Sequence, residues 1–168
     1  NSEKPANEVV KEKILKPLAL DNIYMSDDKV PNQTRGYYDV NDNGYMLDHT
    51  EIDNNAVGGA GMLDGGVLAN SNDLASFLNA LVSGKILSAS AFNQMQEFKI
   101  ITQELPDELK YIKEYGLGLM KLETNHGTAI GHFGTVHCFN AMAFYFPAQK
   151  VTVAMIRNGE STKIKKFL

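Results

Sequence analysis

The chain has no second cysteine. Cys138 stands alone among 168 residues, so no disulfide forms within the chain, and bridges say nothing about its compartment. Long apolar runs are missing as well. No stretch approaches the ~18 apolar residues of a transmembrane helix, and the opening Asn1-Ser2-Glu3-Lys4-Pro5 has no apolar signal core, so any signal is expected upstream. Nor is there an excess of positive charge: a formal charge of −4 argues against nucleic acid or an anionic membrane as partner. The one dense basic cluster, Lys163, Lys165 and Lys166, reads as the solvated face of a terminal helix. What is present, 43% hydrophobic and 21% charged residues, suffices for one core, although that core need not be a complete domain.

Hydrophobic spacing divides the chain into a helical and loop region over 6–113 and antiparallel strands over 114–168, with the start of a terminal helix at Ser161 to Leu168. Ala6 to Leu15 reads as a short helix stopped by Pro17. Asp21 to Gly61 is turn chemistry, with a short hairpin around Asp42-Asn43-Gly44, and Tyr37, Tyr38 and Tyr45 are read as loop packing. A loop that long is usually functional or packed against something else. Asn70, with Asp73 three residues later, opens a helix whose face is Leu74, Phe77, Leu78, Leu81 and Val82, ending at Gly84. Ser88 caps a second helix with Phe92, Met95 and Phe98 on one side. Leu105 to Lys113 reads as a charged loop and Tyr115 to Leu122 as a strand, turning at Asn125-His126-Gly127 into Thr128 to Gly134. Phe139 to Phe146 and Val151 to Ile156 form the last hairpin. The class is α+β: an antiparallel sheet with helices, its last strands apolar on both faces and in need of cover.

Gly131-His132-Phe133-Gly134-Thr135 is the most informative stretch for chemistry. A glycine two residues after a basic side chain lets a substrate backbone approach a strand, which then binds it by β-augmentation while the Thr135 N–H points at a carbonyl oxygen. His126, His132 and His137 do not make a metal site: the first two flank a turn, and 137 has the opposite strand parity to 132. Cys138 beside histidines is rejected as a nucleophile, because strand neighbours point apart and a buried cysteine is the commoner case.

Several segments together resemble the serine β-lactamase and D-alanyl-D-alanine carboxypeptidase family, in its penicillin-binding, class C-like branch. Leu15-Lys16-Pro17-Leu18-Ala19-Leu20-Asp21-Asn22-Ile23 is similar to its Pro-Leu-Gly-Met segment. Gly65-Gly66-Val67-Leu68-Ala69-Asn70-Ser71-Asn72-Asp73-Leu74-Ala75-Ser76-Phe77-Leu78 is similar to its Gly-Gly-Leu-x-Ser-Thr-x-x-Asp-Leu stretch. Gly84-Lys85-Ile86-Leu87-Ser88 with Met95, Tyr115-Gly116-Leu117-Gly118-Leu119, and Gly131-His132-Phe133-Gly134 follow in the family's order. The resemblance implies the C-terminal part of a β-lactamase/transpeptidase-like fold. It also implies that His132 replaces the basic residue of the third box, that Gly134 keeps the strand open, and that the Thr135 N–H is the second oxyanion donor. No cofactor or metal is implied, and a periplasmic, cell-envelope or secreted location is. The sequence departs from the family pattern at Cys138, where a glycine is usual, and at Ala69-Asn70, where Ser-Thr is usual.

The family's nucleophile comes from a Ser-x-x-Lys and its partner tyrosine from a Tyr-x-Asn, both preceding the Pro-Leu segment. No catalytic residue is therefore expected in this chain. The one literal Ser-x-x-Lys, Ser26 to Lys29, lies in an Asp-rich loop after that segment, and there is no Tyr-x-Asn. The expected protein is part of a serine acyl hydrolase of D-alanyl peptides, β-lactams or esters with its nucleophile-bearing half absent. The alternatives are a binding module or pseudoenzyme that recognises peptide or protein through the exposed strand, and a stand-alone structural domain. Expected partners are a peptide or β-lactam-like substrate, and either the missing N-terminal half or a second copy.

Overall fold

The computed structural model describes residues 3–25, 28–50, 65–105 and 112–159. The chain forms two compact units, Asn1–Asp73 with Gly134–Ala141 and Met155–Leu168, and Leu74–Phe133 with Met142–Ala154. Among the described residues no helix is long and apolar enough to cross a membrane.

In the first unit, helix α1 (Ala6–Val10) continues as a π-helical turn, Lys11–Leu15, which buries Leu15. The chain leaves it through Ala19, held in the left-handed region at φ 51. Strand β1 (Ile23–Tyr24) then pairs with β4 (Leu68–Ala69). This pairing joins two of the segments quoted above, and Asp73 ties them a second time. Its buried carboxylate accepts the backbone N–H of Asn22 at 2.8 Å and the Asn22 side-chain amide at 3.3 Å, while the Asp73 N–H donates to the Asn70 side chain at 2.7 Å. The aspartate of the family stretch is thus a structural acceptor, and Asn70 supplies the cap expected of the usual hydroxyl residue.

The expected hairpin at Asp42-Asn43-Gly44 is present as β2 (Tyr37–Tyr38) paired with β3 (Leu47–Asp48). Buried Asp39 organises its loop by accepting the N–H groups of Asn43 (3.0 Å) and Gly44 (2.8 Å), with Asp42 and Gly44 at positive φ. Beyond it, the hydroxyl and N–H of Thr50, followed by Arg35, hold the Asp48 carboxyl down at about 2. Tyr45 does not pack: it is 78% exposed, turned outward beyond Gly44.

Helix α2 (Ser71–Val82), in the second unit from Leu74 on, and helix α3 (Ala89–Met95) form as the spacing predicts, with Ser88 Oγ accepting the Ala91 N–H at 3.2 Å. Leu78, Leu81, Leu119 and Ala143 make one buried cluster, flanked by Leu74, Phe92, Met95 and Phe98. A second cluster, Ile112, Met120, Leu122, Ala129 and Phe144, lies within the sheet strands that follow.

Those strands are β5 (Lys99–Ile100), β6 (Ile112–Tyr115), β7 (Met120–Thr124), β8 (Gly127–Val136), β9 (Phe139–Phe146) and β10 (Val151–Asn158), in the spatial order β10-β9-β8-β7-β6-β5. One expectation is corrected here: Tyr115 to Leu122 is not a single strand but the end of β6, a turn, and the start of β7. Residues Ile112 and Lys113, expected in a charged loop, belong to β6. The turn forms because Gly118 adopts φ 73 and because Gly116 lies against helix α3, where a Cβ would stand 2.3 Å from the Met95 carbonyl oxygen. The Leu117 N–H donates to that same oxygen at 3.0 Å. The Tyr-Gly-Leu-Gly segment is therefore a docking turn for the end of α3. Across the two strands Glu114 and Lys121 are register partners and form an ion pair at 2.7 Å. The expected terminal helix at Ser161 to Leu168, with its lysines, lies outside the described residues.

Candidate functional site

The ladder between β7 and β8 ends at the Met120–Gly131 pair, so residues 132–136 of β8 run on past the first residue of β7. His132, Gly134 and Thr135 are exposed along that run. The two glycines of the box answer to different demands. A Cβ on Gly131 would stand 2.0 Å from the Ala143 carbonyl oxygen and 2.8 Å from the Phe144 Cα, so only glycine lets β9 approach. A Cβ on Gly134 would meet nothing within 4 Å. Gly131 is thus required by the fold, while Gly134 stands beside open space.

His132 is fixed at both ring nitrogens. Its Nδ1 lies 2.6 Å from the Phe133 carbonyl oxygen, which can only accept, so Nδ1 carries the proton. In the neutral ring Nε2 is then the acceptor, taking the hydroxyl proton of Tyr115 at 2.7 Å, with the two rings edge to face at 87°. The arrangement is an exposed hydroxyl–imidazole pair in which the Tyr115 oxygen, its proton given to His132, keeps lone pairs for an outside donor.

Sequence reasoning missed Tyr115. It reaches His132 only because the four-residue turn after β6 puts Tyr115 opposite Met120, and Met120 opposite Gly131. The signal that could have found it was the pair of glycines bracketing Leu117, read as a turn rather than a strand.

Thr135 donates its hydroxyl to Asn140 Oδ1 at 2.9 Å, and the other end of that amide, Asn140 Nδ2, is buried without a hydrogen-bond acceptor among the described residues. The strand reading of 137 and 138 is corrected. His137 and Cys138 form the turn between β8 and β9, with Cys138 at φ 69, so the residue standing where the family uses glycine takes the left-handed conformation that explains the glycine. The histidines weighed together as metal ligands have separate partners: His126 accepts the Gln149 amide at its backbone oxygen (2.6 Å), His132 meets Tyr115, and His137 meets His49. Ser26 lies outside the described residues. The Asp28 carboxylate, between Ser26 and Lys29, is held by Lys11 at 2.6 Å and by the Met25 N–H at 2.8 Å.

A family model described as Beta-lactamase matches residues 2–165. Among solved structures, the chain is similar to a D-stereospecific amidohydrolase from Streptomyces sp., with 25% identity and a TM-score of 0.77 over 94% of this chain and 45% of that one. It is similar also to the D-amino acid amidase from Ochrobactrum anthropi SV3 complexed with D-phenylalanine, with 20% identity and a TM-score of 0.80 over 98% of this chain and 48% of that one. A penicillin binding protein from Bacillus halodurans matches with 16% identity and a TM-score of 0.69, over 92% of this chain and 45% of that one. The chain spans about half the length of these structures, and the two less identical likenesses show the fold alone.

Proposed function

Because the chain belongs to the Beta-lactamase family, we propose that it is the C-terminal, substrate-binding part of a serine acyl hydrolase whose serine, lysine and tyrosine lie in residues outside it. The observation that carries this reading is the exposed run of β8 beyond its β7 ladder, with open space at Gly134. In this reading a substrate lays its backbone along that run, the Thr135 N–H donates to the reacting carbonyl oxygen, and the His132–Tyr115 pair binds the polar group beyond the scissile bond. The likeness to a D-stereospecific amidohydrolase favours D-amino acid amides or D-alanyl peptides over other acyl compounds, with β-lactams and small esters as further candidates. Val151 and Val153, exposed on β10 at the end of the sheet, support pairing of that edge with the nucleophile-bearing half, or with a second copy where that half is lacking.

The 168-residue chain by itself is expected to show no turnover of a chromogenic cephalosporin, a D-amino acid amide or an ester above buffer. Turnover that disappears in Ser26→Ala would contradict the reading and make Ser26-Asp27-Asp28-Lys29 the working motif.

A further inference from the structure

Within the first compact unit, the turn after β8 meets the end of the β2–β3 hairpin at His49, His137 and Cys138. His49 Nδ1 and His137 Nε2 are 3.0 Å apart. One ligand atom from each of the two rings and the Cys138 sulfur all lie within 4.8 Å of one another. The backbone on each side is fixed. The His49 N–H donates to the Gly36 carbonyl at 2.9 Å, and the Cys138 carbonyl accepts the Gly159 N–H at 2.7 Å. Gly36 is pressed so close that a Cβ on it would stand 2.8 Å from the Cys138 Cβ. Tyr38 packs on both imidazoles, with ring centroids 5.9 Å from His49 and 4.7 Å from His137. Neighbouring residues on a strand diverge, but His137 and Cys138 reach one point because they form a turn with Cys138 at φ 69. The sulfur is buried and the imidazoles half-buried.

We propose that His49, His137 and Cys138 form a site for a borderline-soft divalent transition ion, zinc or cobalt, which clips the β8–β9 turn to the β2–β3 hairpin. Two imidazoles and a thiolate are the donor set such ions favour, and three protein ligands leave the fourth tetrahedral position for water or an outside donor. Bond lengths of about 2.0–2.1 Å to nitrogen and 2.3 Å to sulfur require ligand separations of roughly 3.3 Å between nitrogens and 3.6 Å from nitrogen to sulfur. The facing nitrogens already stand near that spacing at 3.0 Å, and the sulfur is at most roughly 1.2 Å farther from a nitrogen of each ring than coordination requires. On coordination the Cys138 thiol gives its proton to solvent. The proton between the rings moves to the outer nitrogen of the ring that carries it, freeing both facing lone pairs, and nothing is oxidised or reduced.

The test is titration of the 168-residue chain with Co²⁺ in chelator-free buffer. Binding of one ion is expected, with a thiolate-to-cobalt charge-transfer band that Cys138, the only cysteine, must supply. The band should vanish in Cys138→Ser. Affinity should fall more than about tenfold in His49→Ala and in His137→Ala and stay unchanged in His126→Ala. Zn²⁺ should displace the cobalt and raise the melting temperature of the wild-type chain but not that of Cys138→Ser. If the wild-type chain, folded by circular dichroism, develops no charge-transfer band at saturating Co²⁺, the proposal is overturned, whatever the variants do. It is overturned equally if His126→Ala weakens binding as much as His49→Ala does.

Discussion

Gly131→Ala should cost about 3 kcal/mol of folding stability, at the upper end of the overpacking range, measured as a fall in the urea midpoint at unchanged slope. The added carbon would sit 2.0 Å from the Ala143 carbonyl oxygen and 2.8 Å from the Phe144 Cα, and neither atom is the free end of a flexible side chain. Both belong to buried residues of β9, and Phe144 is a centre of the sheet's apolar cluster. The only relief is to move one strand away from another, which loosens that cluster. Since single domains are stable by ~5–15 kcal/mol, this one methyl should remove a large share of the total. A stability within about 0.5 kcal/mol of wild type would mean that β9 does not approach Gly131 so closely.

Gly134→Val is expected to behave in the opposite way, leaving stability within about 1 kcal/mol while abolishing function. Nothing stands within 4 Å of a new Cβ there, and the residue has no positive φ that a branched side chain would resist. A β-branched residue also suits an extended strand. The isopropyl group would occupy the space that the proposed substrate backbone needs. Displacing a reacting carbonyl by ~1 Å costs roughly 10²-fold in rate, so acylation of the complete enzyme should fall at least that far. Equal activity in wild type and Gly134→Val, with both proteins folded, would remove the substrate strand from this position.

Much of this architecture is legible in the sequence, because local signals and tertiary packing agree. The face formed by Leu74, Leu78 and Leu81, capped by Asn70, gives α2 its place, and the last hairpin follows from two apolar runs around Pro147-Ala148-Gln149-Lys150. The family segments turn out to be contact pairs. Asn22 binds Asp73, and the Gly116–Gly118 turn binds the end of α3. What stayed hidden was long-range or conformational. Gly116-Leu117-Gly118 alternates like a strand and becomes a turn only where a carbonyl of α3 is waiting for it. Cys138 carries no turn signal, since an unbranched thiol residue at φ 69 is not a usual hairpin choice, and this kept His137 and Cys138 on an imagined strand. His49 meets His137 across 88 residues, a separation no local pattern reports. The roles of His132 and Thr135 were drawn from the family box, and the exposed run of β8 supports them by position.

The role proposed for this chain is to supply the substrate strand to a serine carried elsewhere in its parent enzyme. The most direct measurement is covalent labelling by a fluorescent penicillin, or by an activated D-phenylalanine ester, after co-expression of the 168-residue chain with the residues that precede it in its gene. The label should appear only when both pieces are present, should reside on a serine of the preceding piece when the labelled peptide is sequenced, and should be lost with Gly134→Val. Label on Ser26 of this chain, or labelling of the preceding piece that is the same with or without this chain, would contradict the account.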